Sequence, residues 1–266
     1  MQSYQDFAYV YDVFMDETPY DKWCERICKL IKEYGISRPQ RNAEDVLESE
    51  KNLVVDLGCG TGTLTSALYQ KGYDMIGVDN SESMLAIAME KRAERGEEIL
   101  YLLQDMRELE LYSTVGTVVS VCDCINYILE EEELVEVFSL VNNYLYPGGI
   151  FIFDFNTDYK YRDVIGDTII AENRDDCSFI WENYYDEESG INQYDVTIFV
   201  QEEEDLFRRF TETHLQRGYT PEQMKSYLEH AGMTLVEMLD ADTDGEVTDK
   251  TERVLVVARE HGKEIR

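Results

Sequence analysis

The sequence predicts an α/β fold: a seven-stranded, mostly parallel, doubly wound sheet with an antiparallel β cap inserted after strand five. Three observations carry that expectation. Leu53, Val54, Val55 and Leu57 form a short apolar, partly β-branched run that reads as a buried strand; Gly58, Gly60 and Gly62 follow it, and helical character resumes at Leu64. Strand and helix patterns then alternate as far as residue 156, as parallel strands joined by crossovers require. After Asp158 the alternation gives way to β-branched and aromatic runs separated by acidic turns, the pattern of an antiparallel meander.

The elements follow in order. Residues 1–34 read as two helices broken at Thr18-Pro19, with Phe7, Val10, Tyr11 and Phe14, and then Trp23, Ile27, Leu30 and Ile31, at helical spacing. Tyr9, Tyr11, Tyr20 and Trp23 make this segment unusually aromatic. Residues 35–51 read as a surface connection. The glycine turn is the pivot, because strand, glycine turn and helix let a backbone come into contact with a ligand. A pyrophosphate-binding turn wants G-x-G-x-x-G; here the third glycine arrives one residue early and Asp56 sits in the strand end, which suits a cationic ligand better than an anionic one. Asp74–Asp79 is a second strand ending in an acid, 21 residues beyond Gly58, near the place where nucleotide folds put the carboxylate that grips ribose. Asn80-Ser81 caps the next helix, with Met84, Leu85, Ile87 and Ala88 facing inward. A third strand, 99–103, runs into Gln104-Asp105-Met106. A fourth, Thr117–Val121, runs into Cys122-Asp123-Cys124 and Asn126-Tyr127. A helix over 131–144 closes at Pro147-Gly148-Gly149, and a fifth strand covers 150–155. The meander comprises Phe179–Tyr185, Tyr194–Gln201 and Leu206–His214, turning at 187–190 and 202–205. Thr220-Pro221-Glu222-Gln223 opens a helix that ends at Gly232, with proline at its first position and a capping-box glutamine at its third. Strands at 234–238 and 253–259 close the sheet, and the charged tail from Glu260 is expected to fray.

At 266 residues, 44% hydrophobic and 12% aromatic, the chain can bury a substantial core, and we expect one unit over 1–266 with the cap at about 165–218. Against 24 basic residues stand 56 acidic ones, a net charge of −32 that repels phosphate backbones and anionic membranes, so neither nucleic acid nor membrane is an expected partner. The six cysteines form no C-x-x-C pair and only three histidines are present, so reduced thiols in a cytoplasmic protein are expected and no metal site is. With neither a signal peptide nor a long apolar span in view, the expected location is the cytoplasm.

Asp56-Leu-Gly-Cys-Gly-Thr-Gly62, Val78-Asp79 with Ser81 to Leu85, Gln104-Asp105, Asn126-Tyr127, Pro147-Gly148-Gly149, Trp181-Glu182-Asn183 and Glu212–Tyr219, together with Phe7–Asp12, Tyr20 and Trp23, resemble the class I S-adenosylmethionine (SAM)-dependent methyltransferases. Within that class the chain is similar to the bacterial small-molecule type with an inserted β-sheet cap, over nearly its whole length. The resemblance implies a Rossmann-like fold and SAM as cofactor, with S-adenosylhomocysteine as its product. It implies that Gly58, Cys59, Gly60 and Thr61 approach the methionine part of SAM. Asp56 would hold its amino end and Asp79 its ribose, Asn80 and Met84 would lie near adenine, Asp105 and Met106 would meet the adenine edge, and Cys122 would present its backbone. It further places Tyr11 and His214 near the transferred methyl, as the candidate catalytic residues, and Tyr11, Tyr20, Trp23, Tyr127, Trp181, His214 and Arg217 around the acceptor. The expected reaction is methylation of a small soluble acceptor at N or O by a monomer or homodimer. A catalytically silent SAM-binding protein, or a protein or RNA methyltransferase, stays open as an alternative.

Overall fold

The computed structural model describes residues 8–41, 45–203 and 206–263. Phe7 of the sequence motif and part of the expected 202–205 turn lie outside these. The main sheet has seven strands: β1 (Leu53–Leu57), β2 (Asp74–Asp79), β3 (Leu100–Leu103), β4 (Val115–Ser120), β5 (Leu145–Asn156), β10 (Thr234–Asp240) and β11 (Arg253–Arg259). The cap sheet contributes β6 (Ile169–Asn173), β7 (Cys177–Asp186), β8 (Ile191–Glu203) and β9 (Leu206–Arg217). Helices are α1 (Ala8–Phe14), α2 (Tyr20–Tyr34), α3 (Val46–Asn52), α4 (Thr63–Gln70), α5 (Glu82–Arg95), α6 (Glu131–Tyr144) and α7 (Pro221–His230).

The main sheet runs β10-β11-β5-β4-β1-β2-β3, parallel except for β11, which is antiparallel to both β5 and β10. The chain steps outward from β1 to β3 and then returns to lay β4 beside β1. That reversal opens a crevice at the carboxyl ends of β1 and β4, the usual ligand position in open α/β sheets. Both faces are covered, and the alternation within β5 shows it: Phe151, Phe153 and Phe155 pack with Phe138 of α6 on one side, Ile150 and Ile152 with α2 and α4 on the other. Local signals agree with this packing. Ser81 caps α5 through the Met84 amide, and Thr220 with Gln223 forms the expected capping box on α7. Each such cap contributes about 1 kcal/mol.

The cap sheet runs β6-β7-β8-β9, antiparallel throughout. Its inner face follows the period-two rule: Phe179, Trp181 and Asn183 of β7 stand beside Asn192, Tyr194 and Val196 of β8 and His214 and Gln216 of β9. Val10 and Phe14 of α1 pack into its apolar end, Phe14 edge-on to Phe179 at 4.8 Å.

Four expectations need correction. Residues 46–52 are helical rather than a surface connection, because Asp45 accepts the Leu47 and Glu48 amides and starts α3. β5 begins at Leu145, so Pro147-Gly148-Gly149 lies inside the strand, at the register shift between the Val115–Leu145 and Thr117–Ile150 pairs, with Gly148 at φ 81°. The cap has a fourth strand, β6, mostly exposed on the sheet edge and lacking the alternation that marks its partners. The start of the tail is docked: the Glu260 side chain accepts the Gly148 amide, its own amide donates to Gly149, and Lys263 Nζ donates to the carbonyls of Asn142, Asn143 and Leu145.

Candidate active site

The turn after β1 owes its shape to three left-handed glycines, Gly58, Gly60 and Gly62 at φ 83°, 54° and 73°. They differ in surroundings. A Cβ on Gly58 would stand 2.6 Å from Cys124 Sγ and one on Gly62 2.3 Å from the Tyr101 hydroxyl, whereas one on Gly60 would meet no protein atom within 4 Å. Gly60 therefore faces open space, and its amide donates to Asp79 Oδ2 at 2.8 Å while Ser81 donates to Oδ1 at 2.8 Å. A carboxylate has about four acceptor positions. The Asn80 amide also bonds Asp79, which thus braces the turn and keeps about one acceptor position free for a further donor.

Burial pushes the Asp56 carboxyl up to about 7, with the Thr65 hydroxyl bond at 2.6 Å opposing that rise and the Asp79 charge adding to it. Burial raises the Asp79 carboxyl too, against the amides it accepts. Cys59 is buried and burial holds its thiol protonated. Asn80 is exposed and Met84 is 2% exposed, the latter under the start of α5. Asp105 sits after β3 with both oxygens on Arg107, at 3.0 and 2.7 Å, and that partner lowers its carboxyl below the usual range. Met106, next to it, approaches the Gly58 side of the turn.

Helix α1 lies over the turn. Asp12 accepts from Thr61 Oγ1 at 2.6 Å and from Lys91 Nζ at 2.8 Å, and Tyr11 OH lies 3.9 Å from Cys122 Sγ. Tyr20 hydrogen-bonds Tyr11 and stands edge-on to Trp23, with ring centroids 5.5 Å apart.

The turn after β4 has an unusual backbone. Cys122 and Asp123 both have positive φ, 69° and 52°, and neither is glycine. Left-handed backbone at such residues costs on the order of 1–3 kcal/mol each and persists only where the surroundings enforce it. Asp154 at the end of β5 supplies the enforcement: its carboxylate accepts the Cys122 amide at 3.2 Å and the Asp123 amide at 2.8 Å, and it is paired with Arg253. Burial pushes the Cys122 thiol up to about 12.

From this turn the chain reaches the cap. Asp123 accepts from Gln216 Nε2 at 2.6 Å, and Asn126 donates to the carbonyls of Asn156 and Arg217. The Tyr127 hydroxyl lies 3.1 Å from His214 Nδ1 and 2.8 Å from the Tyr194 hydroxyl. His214 is 1% exposed, stacks on Tyr194 at 5.0 Å and 11°, and has Glu212 Oε2 3.3 Å from Nε2. Carboxylate, imidazole and phenol thus stand in a row, with the imidazole buried and Glu212 and Tyr127 half-buried on either side of it. Trp181 extends the stack, 4.4 Å from Tyr194, with its indole N–H on Asn183.

The sequence-predicted residues thus separate into groups. Asp56, Gly58, Cys59, Gly60, Thr61, Asp79, Asn80, Met84, Asp105, Met106 and Cys122 come together along the carboxyl edge of β1 to β4. Tyr127, His214, Trp181 and the cap stack gather beside them, joined through the Cys122–Tyr127 turn. Trp23 carries the Arg253 guanidinium over its ring at 4.6 Å. Arg217 stays apart from His214: as an odd neighbour on β9 it faces the other way and donates to the carbonyls of Leu129 and Ser189. Glu212, Tyr194, Asp154 and Arg253 were missed. Period-two spacing from His214 would have found Glu212; Arg253 is distant in sequence and nothing local marks it.

An open sheet with a glycine turn braced by a strand-end acid at its switch point, and a β cap joined to it, is the architecture of a class I SAM-dependent methyltransferase. The comparisons with known proteins agree. A methyltransferase-domain family matches residues 54–149. The chain is 35% identical to a methyltransferase-family protein of Geobacillus sp. (strain WCH70), covering 97% of this chain and 99% of that one, and 34% identical to YqeM, a methyltransferase-family protein of Bacillus subtilis (strain 168), covering 96% of each. The crystal structure of a SAM-dependent methyltransferase from Clostridium acetobutylicum ATCC 824 superposes with TM-score 0.83 at 28% identity, covering 98% and 100% of the two chains. The sugar N-methyltransferase KedS8 from Streptoalloteichus sp ATCC 53650 shares the fold, with TM-score 0.72 at 18% identity over 93% and 92%. The chain belongs to the SAM-dependent methyltransferases.

Proposed function

We propose that this enzyme methylates a nitrogen or oxygen of a small soluble acceptor held between the sheet edge and the cap. One observation carries the reading: the Cys122–Tyr127 turn joins the cofactor crevice directly to the Tyr127–His214–Glu212 row. The turn Gly58 to Thr61 with Asp56 would hold the methionine end of SAM, Asp79 the ribose, Asn80, Met84, Asp105 and Met106 the adenine side, and Cys122 the backbone contact. Bound there, SAM supplies an electrophilic methyl on a sulfonium for in-line transfer, with S-adenosylhomocysteine as product.

The residues of this chain do the rest. Tyr127 takes the acceptor's proton while passing its own to His214 Nδ1, and Glu212 stabilises the imidazolium that forms. General-base help of this kind accelerates a reaction about 10²–10⁴-fold. Tyr11, Tyr20 and Trp181 supply aromatic walls that exclude water and favour a cationic or aromatic acceptor. The acidic surface favours such an acceptor over RNA. No helix among the described residues is long and apolar enough to cross a membrane.

The test is incubation with methyl-tritiated SAM and a panel of small amines, phenols and alcohols, alongside bulk RNA and protein, following tritium by chromatography. Transfer to a small acceptor that drops about a hundredfold in Tyr127→Phe supports the reading. Transfer only to RNA or protein overturns it.

A further inference from the structure

We infer that Arg253 is a positioning residue for the cofactor: through Asp154 it fixes the left-handed Cys122–Asp123 turn in the shape that receives the methionine end of SAM. The inference rests on the cofactor reading above. Its starting point is the pair of consecutive non-glycine residues at φ 69° and 52°, a conformation that needs an external hold. Both amides of the turn are held by one carboxylate. Asp154 takes both amides, one on each oxygen, and the oxygen shared with Cys122 is also the one paired with Arg253.

Arg253 is an expensive residue to place there. Its side chain is 14% exposed, and its Nε finds no acceptor among the described residues. The same is true of Arg26 Nε, and both side chains line a cavity of about 20 Å³ floored by Trp23, Ile27 and Val121. An apolar pair of matching shape would stabilise such a site at least as well as a half-satisfied ion pair. What an apolar pair would not do is hold two backbone amides. Burial works against the guanidinium's charge, and Asp154 with the neighbouring Cys122 and Asp123 together more than offset it, so the carboxylate keeps a permanent counter-ion and remains the acceptor the turn needs. The guanidinium is itself aimed from two sides: by the β11 ladder, where Arg253 pairs with Asn156 and Leu255 with Asp154, and by the Trp23 ring of α2 beneath it. Helix α2, β11 and β5 thereby converge on one turn.

The experiment uses the full chain and calorimetric titration with SAM and with S-adenosylhomocysteine, so that no acceptor is required. In Arg253→Gln both dissociation constants are expected to rise about tenfold or more. Arg253→Lys, which keeps the charge but loses the planar fork, should fall between parent and Arg253→Gln. Adding Cys122→Gly to Arg253→Gln should recover part of the lost affinity, because glycine adopts positive φ without help. A purely structural ion pair would lose thermal stability on the same substitution but would gain nothing in affinity from that glycine. Unchanged affinity in a folded Arg253→Gln, or no recovery with the glycine, overturns the inference. Should Arg253→Gln fail to fold, Arg253→Lys with and without Cys122→Gly makes the same comparison. A parent chain that binds neither ligand would instead overturn the cofactor reading beneath it.

Discussion

Replacing Asp56 by asparagine should make the free protein more stable and the cofactor complex weaker. The carboxyl is fully enclosed at the end of β1, and its hydrogen bond from Thr65 does not compensate for lost water, so its folded pKa stands at about 7 against 3.8 for the unreacted side chain. A carboxyl raised on folding binds more protons in the native state. Stability is therefore fully retained below about pH 4 and lost as pH rises through 7. The gap of about three units corresponds to a loss on the order of 4 kcal/mol. Asparagine keeps the acceptor for Thr65 and carries no charge, so that loss disappears. At roughly 2 °C per kcal/mol for a chain of this size, the variant should melt about 5–10 °C above the parent at pH 8 and close to it at pH 4.5. Scanning calorimetry across pH 4.5–8 without ligand measures the difference. The binding arm runs the other way. Loss of a charged partner for the SAM ammonium should weaken SAM about 10–100-fold at pH 8, as expected for a charge-assisted hydrogen bond of 1.5–3 kcal/mol. Parent affinity should also rise with pH towards 8, while the variant's stays flat. A melting difference independent of pH, or a variant less stable than the parent at pH 8, would refute the burial argument.

Other outcomes follow from the same geometry. Gly58→Ala and Gly60→Ala both place a side chain at positive φ, costing about 1–2 kcal/mol. Only the first drives a methyl into Cys124, so it should lose more melting temperature, whereas Gly60→Ala should stay nearer the parent in stability and bind S-adenosylhomocysteine worse. His214→Ala should slow methyl transfer to whichever acceptor the tritium panel yields by about 10²-fold or more while leaving the SAM dissociation constant within a factor of two; equal losses in both would mean that His214 only braces the cap. Asp12→Ala removes an exposed latch worth about 0.2–1 kcal/mol, so melting should move by less than ~2 °C while stopped-flow release of S-adenosylhomocysteine quickens two- to fivefold, roughly.

Much of this site could be read from local sequence because the chemistry of a nucleoside crevice is itself local. A glycine turn after an apolar strand, and an acid at the end of the next strand, mark Gly60 and Asp79 by spacing alone, and the structure brings the two together at 2.8 Å. The doubly wound, mostly parallel sheet followed from alternation and connection rules. What escaped has two physical causes. Short elements at edges lack periodicity: β6 is mostly exposed, and α3 depends on the Asp45 cap more than on an apolar stripe. Interactions closed across the whole chain leave no local trace either. The Asp154–Arg253 pair spans 99 positions and Tyr127–His214 spans 87, so only the assembled sheet and cap reveal them.

The placement of β11 has a consequence for how the chain is made. β5 is complete at residue 156, but the strand that covers its free edge begins at residue 253, after the entire cap has been synthesised. At ribosomal rates of roughly 5–20 residues per second, the richest aromatic strand of the core spends about 5–20 s with one row of backbone donors and acceptors unpaired. An open edge of that kind is a template for pairing with a neighbouring nascent chain. The emerging polypeptide is thus most exposed to misassembly late in synthesis, and the arrival of its final strand both seals that edge and delivers Arg253.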